Sequence, residues 1–393
     1  MAGVLDGIKV VDFGRYIAGP FCAALLGDLG ADVIRVERIE GAEDRAIAPV
    51  GGPLAGAIYL QCNRNKRGIT LNPTTEDGRV ITDRLIATAD VVVANYPARA
   101  LKSLGLDYAR LSAVKPEVIL ATVNAFGDGP WADKIGFDGL AQAMSGNLFL
   151  SGEAGVPTRS FTAYVDFATA SLSALSVLAA LMHRHQTGRG QLVEGALLKT
   201  ALTFMNPAIL EQQQLGNDRQ ATLNQHPYSG PSDVFATRDG WIMCMVLGDY
   251  QFKRWCELVD APELLTDPRF QDDQLRGDNG GLLSERMAAW CETQTTDSAL
   301  KALESARVPA GPVYSPRQAL DDEHIKQLDF YNMQDHPELS TPALIPGYPV
   351  SFSEMEVTAT RRAPILGEHT DEVLKELGFN ATEIAQFREH NVI

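Results

Sequence analysis

The chain has 393 residues and carries 50 acidic against 34 basic side chains, which gives a formal net charge of −16. This negative charge argues against a general nucleic-acid-binding protein, because such proteins depend on neutralising phosphate groups. Hydrophobic residues make up 45% of the chain, a proportion that argues against extensive disorder and allows a large core without disulfides.

Cysteine usage and the N-terminal pattern favour a cytoplasmic protein. The five cysteines contain no CxxC pair, so we expect neither a disulfide framework nor a metal site. The first residues show no basic segment followed by an apolar one, and we expect no signal peptide. The longest uncharged apolar stretch, 167–182, is shorter than the roughly 20 residues that span a bilayer. It predicts a buried core helix, and no membrane partner is expected.

In chain order, the first 130 residues alternate between strand and helix patterns. Amphipathic spacing predicts helices at 20–30 and 77–90. Apolar runs rich in β-branched residues predict strands at 8–13, 31–37, 67–72, 91–95 and 117–126. A strand, a helix and a second strand in direct succession form a βαβ unit. Its repetition predicts an α/β fold with a Rossmann-like, doubly wound parallel sheet.

The longest apolar segment, 167–185, predicts a helix that ends before Gly188, a residue suited to a helix C-terminus. After about Asn206 the pattern changes. The segment 234–247 predicts a hairpin with a turn at 238–240. Further helical patterns lie near 250–260, 281–293, 297–306 and 371–378.

These patterns predict two domains. A large Rossmann-like domain covers 1–205 and is completed by 330–393. A smaller α+β domain covers 225–325. The segments 206–224 and 326–350 are predicted linkers, the second of them within a stretch rich in Pro and Gly.

The turn after the first strand has the sequence GRYIAGP and starts at Gly14. Its glycines, Gly14 and Gly19, are five positions apart, which does not match the G-x-G-x-x-G pattern of dinucleotide-binding proteins. The turn either brings backbone amides to a phosphate at a helix start or is an ordinary strand-to-helix connection. Basic residues at 35, 38, 64, 66 and 67 form either a site for a polyanionic small ligand or solvated loop charges.

Asp166 stands directly before the long apolar helix. Aspartate in this position is most often a helix N-cap, because its side chain accepts hydrogen bonds from the first free amides. The field of the helix also favours the ionised carboxylate, and an ionised, positioned carboxylate can act as a nucleophile. The two interpretations of Asp166 are compatible.

Six segments, in this order along the chain, resemble the CaiB–BaiF group of family III CoA-transferases, whose relatives include formyl-CoA transferase and α-methylacyl-CoA racemase. The segments are 5–38, 65–72, 89–108, 136–146, 165–191 and 362–378. Examples are AGPFCAALLGDLGADVIRVER, NKRGITLN and RAPILGEHTDEVLKELG. The resemblance runs from end to end of the chain. It implies a Rossmann-like large domain and a small domain, in a dimer of two interlocked chains.

The resemblance also implies that CoA is transferred between an acyl-CoA and a free carboxylic acid. Asp166 matches the family's nucleophilic aspartate. That residue attacks the thioester to give a mixed anhydride, takes up CoA as an aspartyl thioester and passes it to the acceptor acid. Coenzyme A is therefore a substrate, and no tightly bound cofactor is expected. The expected partners are the two substrates and a second copy of the chain, in the cytoplasm.

The family's contacts to CoA correspond to several residues of this chain. Arg38 matches an arginine that meets the nucleotide phosphates, and Asn95 and Tyr96 match a pair beside the pantetheine arm. One family arginine is not clearly reproduced, and Arg99 or Lys102 substitutes for it. The segment that lines the nucleotide site in the family corresponds to Asn65, Lys66 and Arg67.

Two departures from the family patterns bear on the substrate. The chain has Ile17 where formyl-CoA transferases carry glutamine, and 246–255 lacks their run of glycines, which disfavours oxalate and formate. Where racemases carry Gly-His-Asp, this chain has Gly136, Phe137 and Asp138. Phenylalanine cannot transfer a proton, so racemisation is disfavoured. Asp138 is either an acid/base candidate or a structural turn residue.

Two other functions stay open from the sequence. An acyl-CoA epimerase with the same fold would use Asp166 together with a second acid/base group that the sequence does not identify. A non-catalytic CoA-binding protein would keep the contacts to CoA without using Asp166. The first would exchange the α-proton of an acyl-CoA in deuterium oxide, and the second would be unaffected by replacement of Asp166.

Overall fold

The computed structural model describes residues 3–355, 357 and 361–393. The strands are β1 (Lys9–Asp12), β2 (Asp32–Glu37), β3 (Lys66–Thr70), β4 (Val91–Ala94), β5 (Ile119–Asn124), β6 (Gly152–Glu153), β7 (Val156–Pro157), β8 (Leu192–Ala196), β9 (Thr222–Leu223), β10 (Ser232–Ala236), β11 (Trp241–Met245), β12 (Ala310–Pro312), β13 (Tyr331–Gln334) and β14 (Ala343–Pro346).

The helices are α1 (Ala18–Asp28), α2 (Ala57–Cys62), α3 (Glu76–Thr88), α4 (Ala98–Leu104), α5 (Tyr108–Val114), α6 (Asp138–Met144), α7 (Asn147–Leu150), α8 (Tyr164–Thr187), α9 (Leu197–Leu215), α10 (Gly248–Leu258), α11 (Asp273–Asp278), α12 (Gly280–Cys291), α13 (Thr296–Ser305), α14 (Pro316–Asp321), α15 (Glu323–Gln327), α16 (Thr370–Glu376) and α17 (Ala381–Glu389). Short 3-10 turns lie at Glu43–Ala46, Pro262–Leu265 and Pro268–Phe270.

The chain forms two compact units. The first runs to Ser145 and also contains Ser160–Leu210 and Asp329–Ile393, and the second contains Gly146–Arg159 and Glu211–Leu328. The sequence analysis placed 146–159 in the large domain, whereas the structure groups this segment with the second unit. The reason is that β6 pairs with β9 as well as with β7.

Both predicted linkers contain regular structure. Helix α9 continues through the first half of 206–224 with Pro207 inside it, and β9 follows. Within 326–350, β13 and β14 pair as an antiparallel hairpin. Proline and glycine interrupt these elements without abolishing them, which composition alone does not reveal.

The first unit is built on a six-stranded parallel sheet in the order β3-β2-β1-β4-β5-β8. The predicted α/β class and the five predicted strands are confirmed, and β8 is an additional strand that the patterns did not indicate. The four residues of β4 are all buried, as expected for a parallel strand covered on both faces. The strand order reverses between β1 and β4. In sheets of this kind ligands bind at the carboxyl ends of the strands at such a point.

Two apolar layers cover the faces of this sheet. One joins the strands to residues of α3, α5, α16 and α17, and the other joins them to α1 and α8. The predicted terminal helix is confirmed as α16. The C-terminal helices therefore complete the core that the N-terminal half begins.

Helix α8 is 24 residues long and starts at Tyr164, earlier than predicted. By length and composition it could cross a membrane, and 39% of its most apolar window is buried inside the protein. Core helices of soluble proteins meet the same criterion. The expectation that this segment is too short to span a bilayer is therefore wrong for the helix, and the absence of a membrane partner stays a prediction. Its outer face exposes Leu172, Leu175 and Met182.

The second unit contains a three-stranded antiparallel sheet, β10-β11-β12. The predicted hairpin is confirmed, since β10 pairs with β11 and the Thr237 amide donates to the Gly240 carbonyl at 2.9 Å. The three helices predicted after it are α10, α12 and α13. They enclose a core centred on Trp255, whose indole N–H lies 3.2 Å from the sulfur of Met287.

Candidate active site

A cavity of about 450 Å³ lies in the first unit at the carboxyl ends of β1, β4 and β5. This is the position where the strand order of the sheet reverses. The polar and charged side chains that line it include Arg15, Tyr16, Asn95, Tyr96, Lys134 and Asp166. Three of the residues singled out from the sequence, Asp166, Asn95 and Tyr96, are therefore brought together here.

Asp166 lies in the first turn of α8, but it is not the N-cap residue. The N-cap position belongs to Ala163, which has no side-chain cap. The capping oxygen comes instead from Asp138 at the start of α6. Its Oδ2 accepts hydrogen bonds from the amides of Val165 at 2.8 Å and Asp166 at 3.2 Å. The prediction that Asp166 caps its own helix is wrong, and the structural role falls on Asp138.

The surroundings of Asp166 disfavour its charge. Among the described residues, no hydrogen bond or ion pair reaches the Asp166 carboxylate, which is partly buried at the cavity wall. Burial, followed by the negative charge of Asp138, raises the pKa of Asp166 from 3.8 to about 7. A carboxylate with this pKa is more basic than an ordinary aspartate and still forms readily near neutral pH. These properties suit a nucleophile.

The turn after β1 is held by Asn95, the residue that follows β4. The Arg15 amide donates to Asn95 Oδ1 at 2.6 Å, and Asn95 Nδ2 donates to the Arg15 carbonyl at 2.6 Å. The amide side chain of Asn95 is thus occupied by the backbone, so Asn95 shapes the cavity. The Arg15 guanidinium pairs with Glu43 at 2.6 Å and lies over the rings of Tyr16 and Tyr96.

Two cationic residues of the cavity, Arg15 and Lys134, were missed by the sequence analysis. Arg15 Nε is buried and has no hydrogen-bond partner within the described part of the chain. Lys134 Nζ lies 3.6 Å from the ring centroid of Trp131. The signal for Arg15 was present, because a basic residue follows the first strand of a doubly wound sheet. Lys134 lies in a loop without a strand or helix pattern and gave no signal of its own.

Three further residues predicted to contact CoA lie outside the cavity lining. Arg38 is exposed and pairs with the other oxygen of Glu43, at 2.8 Å, so that Arg15 and Arg38 share one carboxylate. Arg99 and Lys102 are exposed on α4. The same helix contributes Ala100 to the cavity wall.

The structure assigns Asn65, Lys66 and Arg67 to the framework of the fold. Lys66 is fully buried and donates to Asp12 Oδ2, the Pro20 carbonyl and Asn63 Oδ1 at 2.7, 2.7 and 3.0 Å, which uses all three of its protons. Arg67 binds three carboxylates, those of Asp32, Glu372 and Glu376. Asn65 donates to Asp28 at 2.9 Å. The structure does not bring these three residues to the cavity.

Lys66 belongs to a buried group of three acids and three bases that we call the six-charge network. Its members are Asp12, Glu37, Asp44, Arg35, Arg45 and Lys66. Arg35 pairs with Asp44 at 3.0 Å, and its guanidinium donates to the carbonyl of Gly14. Asp12 accepts from the Gly14 amide at 2.7 Å. The network thereby fixes the start of the turn that carries Arg15.

Within the described residues, no group of three or more His, Cys, Asp or Glu side chains could hold a metal ion. All five cysteines are free and buried. Burial raises the pKa of the Cys22 and Cys62 thiols to about 12. These thiols therefore stay protonated near neutral pH and are poor nucleophiles.

The comparisons with known proteins identify the family of the chain. The model of CoA-transferase family III matches residues 5–370. The chain is 33% identical over 389 residues to a succinate–glutarate CoA-transferase of Agrobacterium fabrum, with 95% of each chain covered. It is 32% identical over 386 residues to a succinyl-CoA:mesaconate CoA-transferase of Haloarcula hispanica, covering 96% of this chain and 97% of the relative.

A solved structure gives the same result for the fold. The crystal structure of a CaiB/BaiF family protein from Brucella suis matches with a TM-score of 0.84 and 32% sequence identity. The match covers 96% of this chain and 100% of that one. The chain belongs to CoA-transferase family III. Its activity is the transfer of CoA between an acyl-CoA and a carboxylic acid, as the sequence analysis predicted.

Proposed function

We propose that transfer proceeds through a covalent intermediate on Asp166. An oxygen of its carboxylate attacks the thioester carbonyl of the donor, the C–S bond breaks, and a mixed anhydride and CoA thiolate result. The thiolate then attacks the carbonyl of Asp166, which releases the donor acid and leaves an aspartyl-CoA thioester. The acceptor carboxylate reverses both steps. The observation that carries this proposal is the Asp166 carboxylate, which stands at the wall of the cavity without a hydrogen bond or ion pair to any of the residues that the structure describes.

The substrates we propose are two short dicarboxylic acids. The named relatives act on succinate and glutarate or on succinyl-CoA and mesaconate. Arg15 and Lys134 line the same cavity as Asp166. When one carboxylate of the acid reacts with Asp166, the second carboxylate needs a cationic partner to leave water. Arg15 suits this role, because its Nε is buried and has no hydrogen-bond partner in the described part of the chain, although one of its terminal nitrogens already pairs with Glu43.

For CoA itself, the proposed contacts lie around the cavity mouth. The pantetheine arm would pass Asn95 and Tyr96, both of which line the cavity. Arg38 is the proposed contact for the nucleotide phosphates, since it is exposed, shares Glu43 with Arg15 and otherwise makes a long hydrogen bond of 3.5 Å to the Gly41 carbonyl. Arg99 or Lys102 would add a further cation from α4. CoA enters and leaves as a substrate.

Neither alternative function gains support from the geometry. An epimerase needs a second acid or base, and the candidate that the sequence offered for this role, Asp138, is buried, absent from the cavity lining and occupied by backbone amides. Phe137 occupies the wall at that point. A non-catalytic CoA-binding protein would have no use for a partly buried carboxylate that is unpaired among the described residues, because its burial costs stability.

We also propose a homodimer located in the cytoplasm. The outer face of α8 exposes Leu172, Leu175 and Met182, and α9 exposes Phe204 and Leu210. Apolar side chains concentrated on two successive helices favour burial against a second copy of the chain. The cytoplasmic location is supported by the five free, buried cysteines.

The covalent step is tested by trapping. The protein is incubated with succinyl-CoA and quenched with hydroxylamine, and the peptides are mapped by mass spectrometry. We expect a hydroxamate on Asp166 and none in the Asp166→Asn variant, whose transfer activity falls by at least about a thousand-fold. Asp133→Asn, which changes an exposed aspartate outside the cavity lining, serves as the matched control and keeps wild-type activity. Activity of Asp166→Asn within tenfold of wild type contradicts the covalent mechanism.

A further inference from the structure

Asp138 is tied to its surroundings through both carboxylate oxygens. It is 5% exposed and begins α6. Oδ2 accepts from the amides of Val165 and Asp166, and Oδ1 accepts from Gln142 Nε2 at 2.5 Å. The Gln142 side chain is fully buried and in turn accepts from the Ser160 amide at 3.3 Å. The carboxylate thus connects α6 to the chain that leads into α8.

The start of an α-helix leaves its first amides without partners, and these amides need an acceptor. The usual acceptors are the side chain of the N-cap residue or an acidic side chain in the first turn. Ala163 at the N-cap has no acceptor, which leaves Asp166 as the one acidic residue in the first turn of α8. Without Asp138, the Asp166 carboxylate would be the nearest internal acceptor for these amides.

We propose that Asp138 is a positioning residue, which caps α8 in place of Asp166 and so keeps the Asp166 carboxylate free for the substrate. The inference rests on the function proposed above. Its basis is the contrast between the two residues, because Asp138 binds both amides while no hydrogen bond to the Asp166 side chain occurs among the described residues. Asp138 therefore acts through Asp166 and is not itself an acid or base in the reaction.

The arrangement has a direct chemical consequence. Hydrogen bonds from amides stabilise a carboxylate and reduce its tendency to attack a carbonyl carbon. An Asp166 carboxylate without such bonds keeps its lone pairs for the thioester. The fixed charge of Asp138 acts in the same direction, because a like charge nearby makes the Asp166 carboxylate more basic.

Two substitutions at position 138 separate the geometry from the charge. Asp138→Ala removes the cap, and we expect kcat to fall about a hundred-fold with KM for acyl-CoA and acid changed less than threefold. Asp138→Asn keeps an oxygen that can accept from both amides but loses the charge. We expect Asp138→Asn to recover at least a third of the decrease in log kcat that Asp138→Ala causes. In Asp138→Asn, the acidic limb of the kcat/KM profile also moves to lower pH.

An aspartate that caps another helix provides the control. Asp107 caps α5 by accepting from the Arg110 amide at 3.2 Å, and it does not line the cavity. Asp107→Ala likewise removes an aspartate cap, but from α5. We expect this variant to lose thermal stability and to keep its kcat. If Asp138→Ala also loses only stability, or if both variants at 138 raise KM rather than lower kcat, the positioning role is overturned.

The inference and the proposed function fail in different ways. Full activity in Asp166→Asn overturns the covalent mechanism itself. An inactive Asp166→Asn combined with wild-type kcat in Asp138→Ala overturns only the role of Asp138. Should Asp138→Ala fail to fold, the pH profile of Asp138→Asn and its rate of hydroxamate formation decide the question alone.

Discussion

The first unit buries charge in two different ways. In the six-charge network, three acids and three bases neutralise one another, and each pair lies within hydrogen-bonding distance. At the start of α8, by contrast, Asp138 and Asp166 are two acids with no base between them. Both groups lie near the turn that follows β1. What differs between them is therefore the charge of the neighbouring side chains and not their place in the fold.

The pKa values of two of the three acids in the network express this difference, whereas burial outweighs the nearby cation at the third acid, Asp44, and raises its pKa. Burial opposes ionisation of Asp12, yet Lys66 and Arg35 hold its pKa below the usual value. Burial also opposes ionisation of Glu37, whose pKa is held down by Arg35 and Arg45. The same cause acts on Asp166 without a compensating cation, and its pKa rises to about 7. Compensated charge belongs to the framework, and the uncompensated charge of Asp166 is where we propose that the chemistry takes place.

Removing one member of the compensated group is expected to have the largest effect on stability. Lys66→Met leaves Asp12 without its closest cation in the protein interior, and the free energy of unfolding should fall by about 3–5 kcal/mol. Urea denaturation measures it. The matched variant Lys199→Met removes an exposed pair with Asp128 and should cost less than about 1 kcal/mol. Equal losses of unfolding free energy in the two variants would contradict the view that the buried network stabilises the fold more than an exposed ion pair does.

Neutralising Asp166 should raise the free energy of unfolding, whereas removing Lys66 lowers it. Because folding raises the pKa of Asp166 above its value of 3.8, the folded state binds this proton more tightly, and its stability declines as pH rises from 3.8 to about 7. Asp166→Asn removes this cost, so above about pH 7 the inactive variant should be more stable than wild type by roughly 2 kcal/mol, allowing for screening.

Thermal unfolding at about pH 4 and about pH 8 tests this expectation. The advantage of Asp166→Asn should be small at the lower pH and full at the higher one. Asp133→Asn supplies the baseline for an exposed aspartate. A variant that is less stable than wild type at the higher pH would mean that Asp166 has a stabilising partner.

The smallest effects are expected for Arg15 and Arg38, the two arginines that share Glu43, and they concern substrate binding. Arg15→Gln should raise KM for a dicarboxylic acid about tenfold, equivalent to about 1.4 kcal/mol, and leave the KM for CoA unchanged. Arg38→Gln, which alters the other partner of Glu43, should weaken CoA affinity and spare the acid. Initial rates with both substrates varied measure the two effects. If the two variants change the same constant, Arg15 and Arg38 serve one ligand.

The sequence predicted what depends on local pattern. Periodicity and turn residues predicted five of the six strands of the parallel sheet, the hairpin at 234–247 and the helix before Gly188, and all of these are present. Asp166 could be identified as the nucleophile candidate because the family resemblance covers the residues on both sides of it. Its position in the helix was misjudged by one turn, since the helix begins before the apolar run does.

What the sequence did not predict depends on contacts between distant residues. Asp138 and Asp166 are joined across 28 positions by backbone amides, and no periodicity reports such a bond. Lys66 resembled a surface cation because it ends a loop, yet Asp12, 54 positions away, binds it in the interior. Charge in a sequence reveals neither its partner nor its burial, and these two properties distinguish a binding residue from a framework residue.

The clamp between Asn95 and the backbone of Arg15 bears on how this site could be redesigned. Asn95 holds the turn through the amide and carbonyl of residue 15 and does not involve its side chain. The turn therefore stays anchored with any residue except proline at that position, since proline lacks the amide hydrogen that Asn95 accepts. A library of substitutions at 15, and at Phe137 across the cavity, should change which acid is accepted without displacing the chain. Acid preference in this scaffold is then open to directed evolution by exchanging a few side chains.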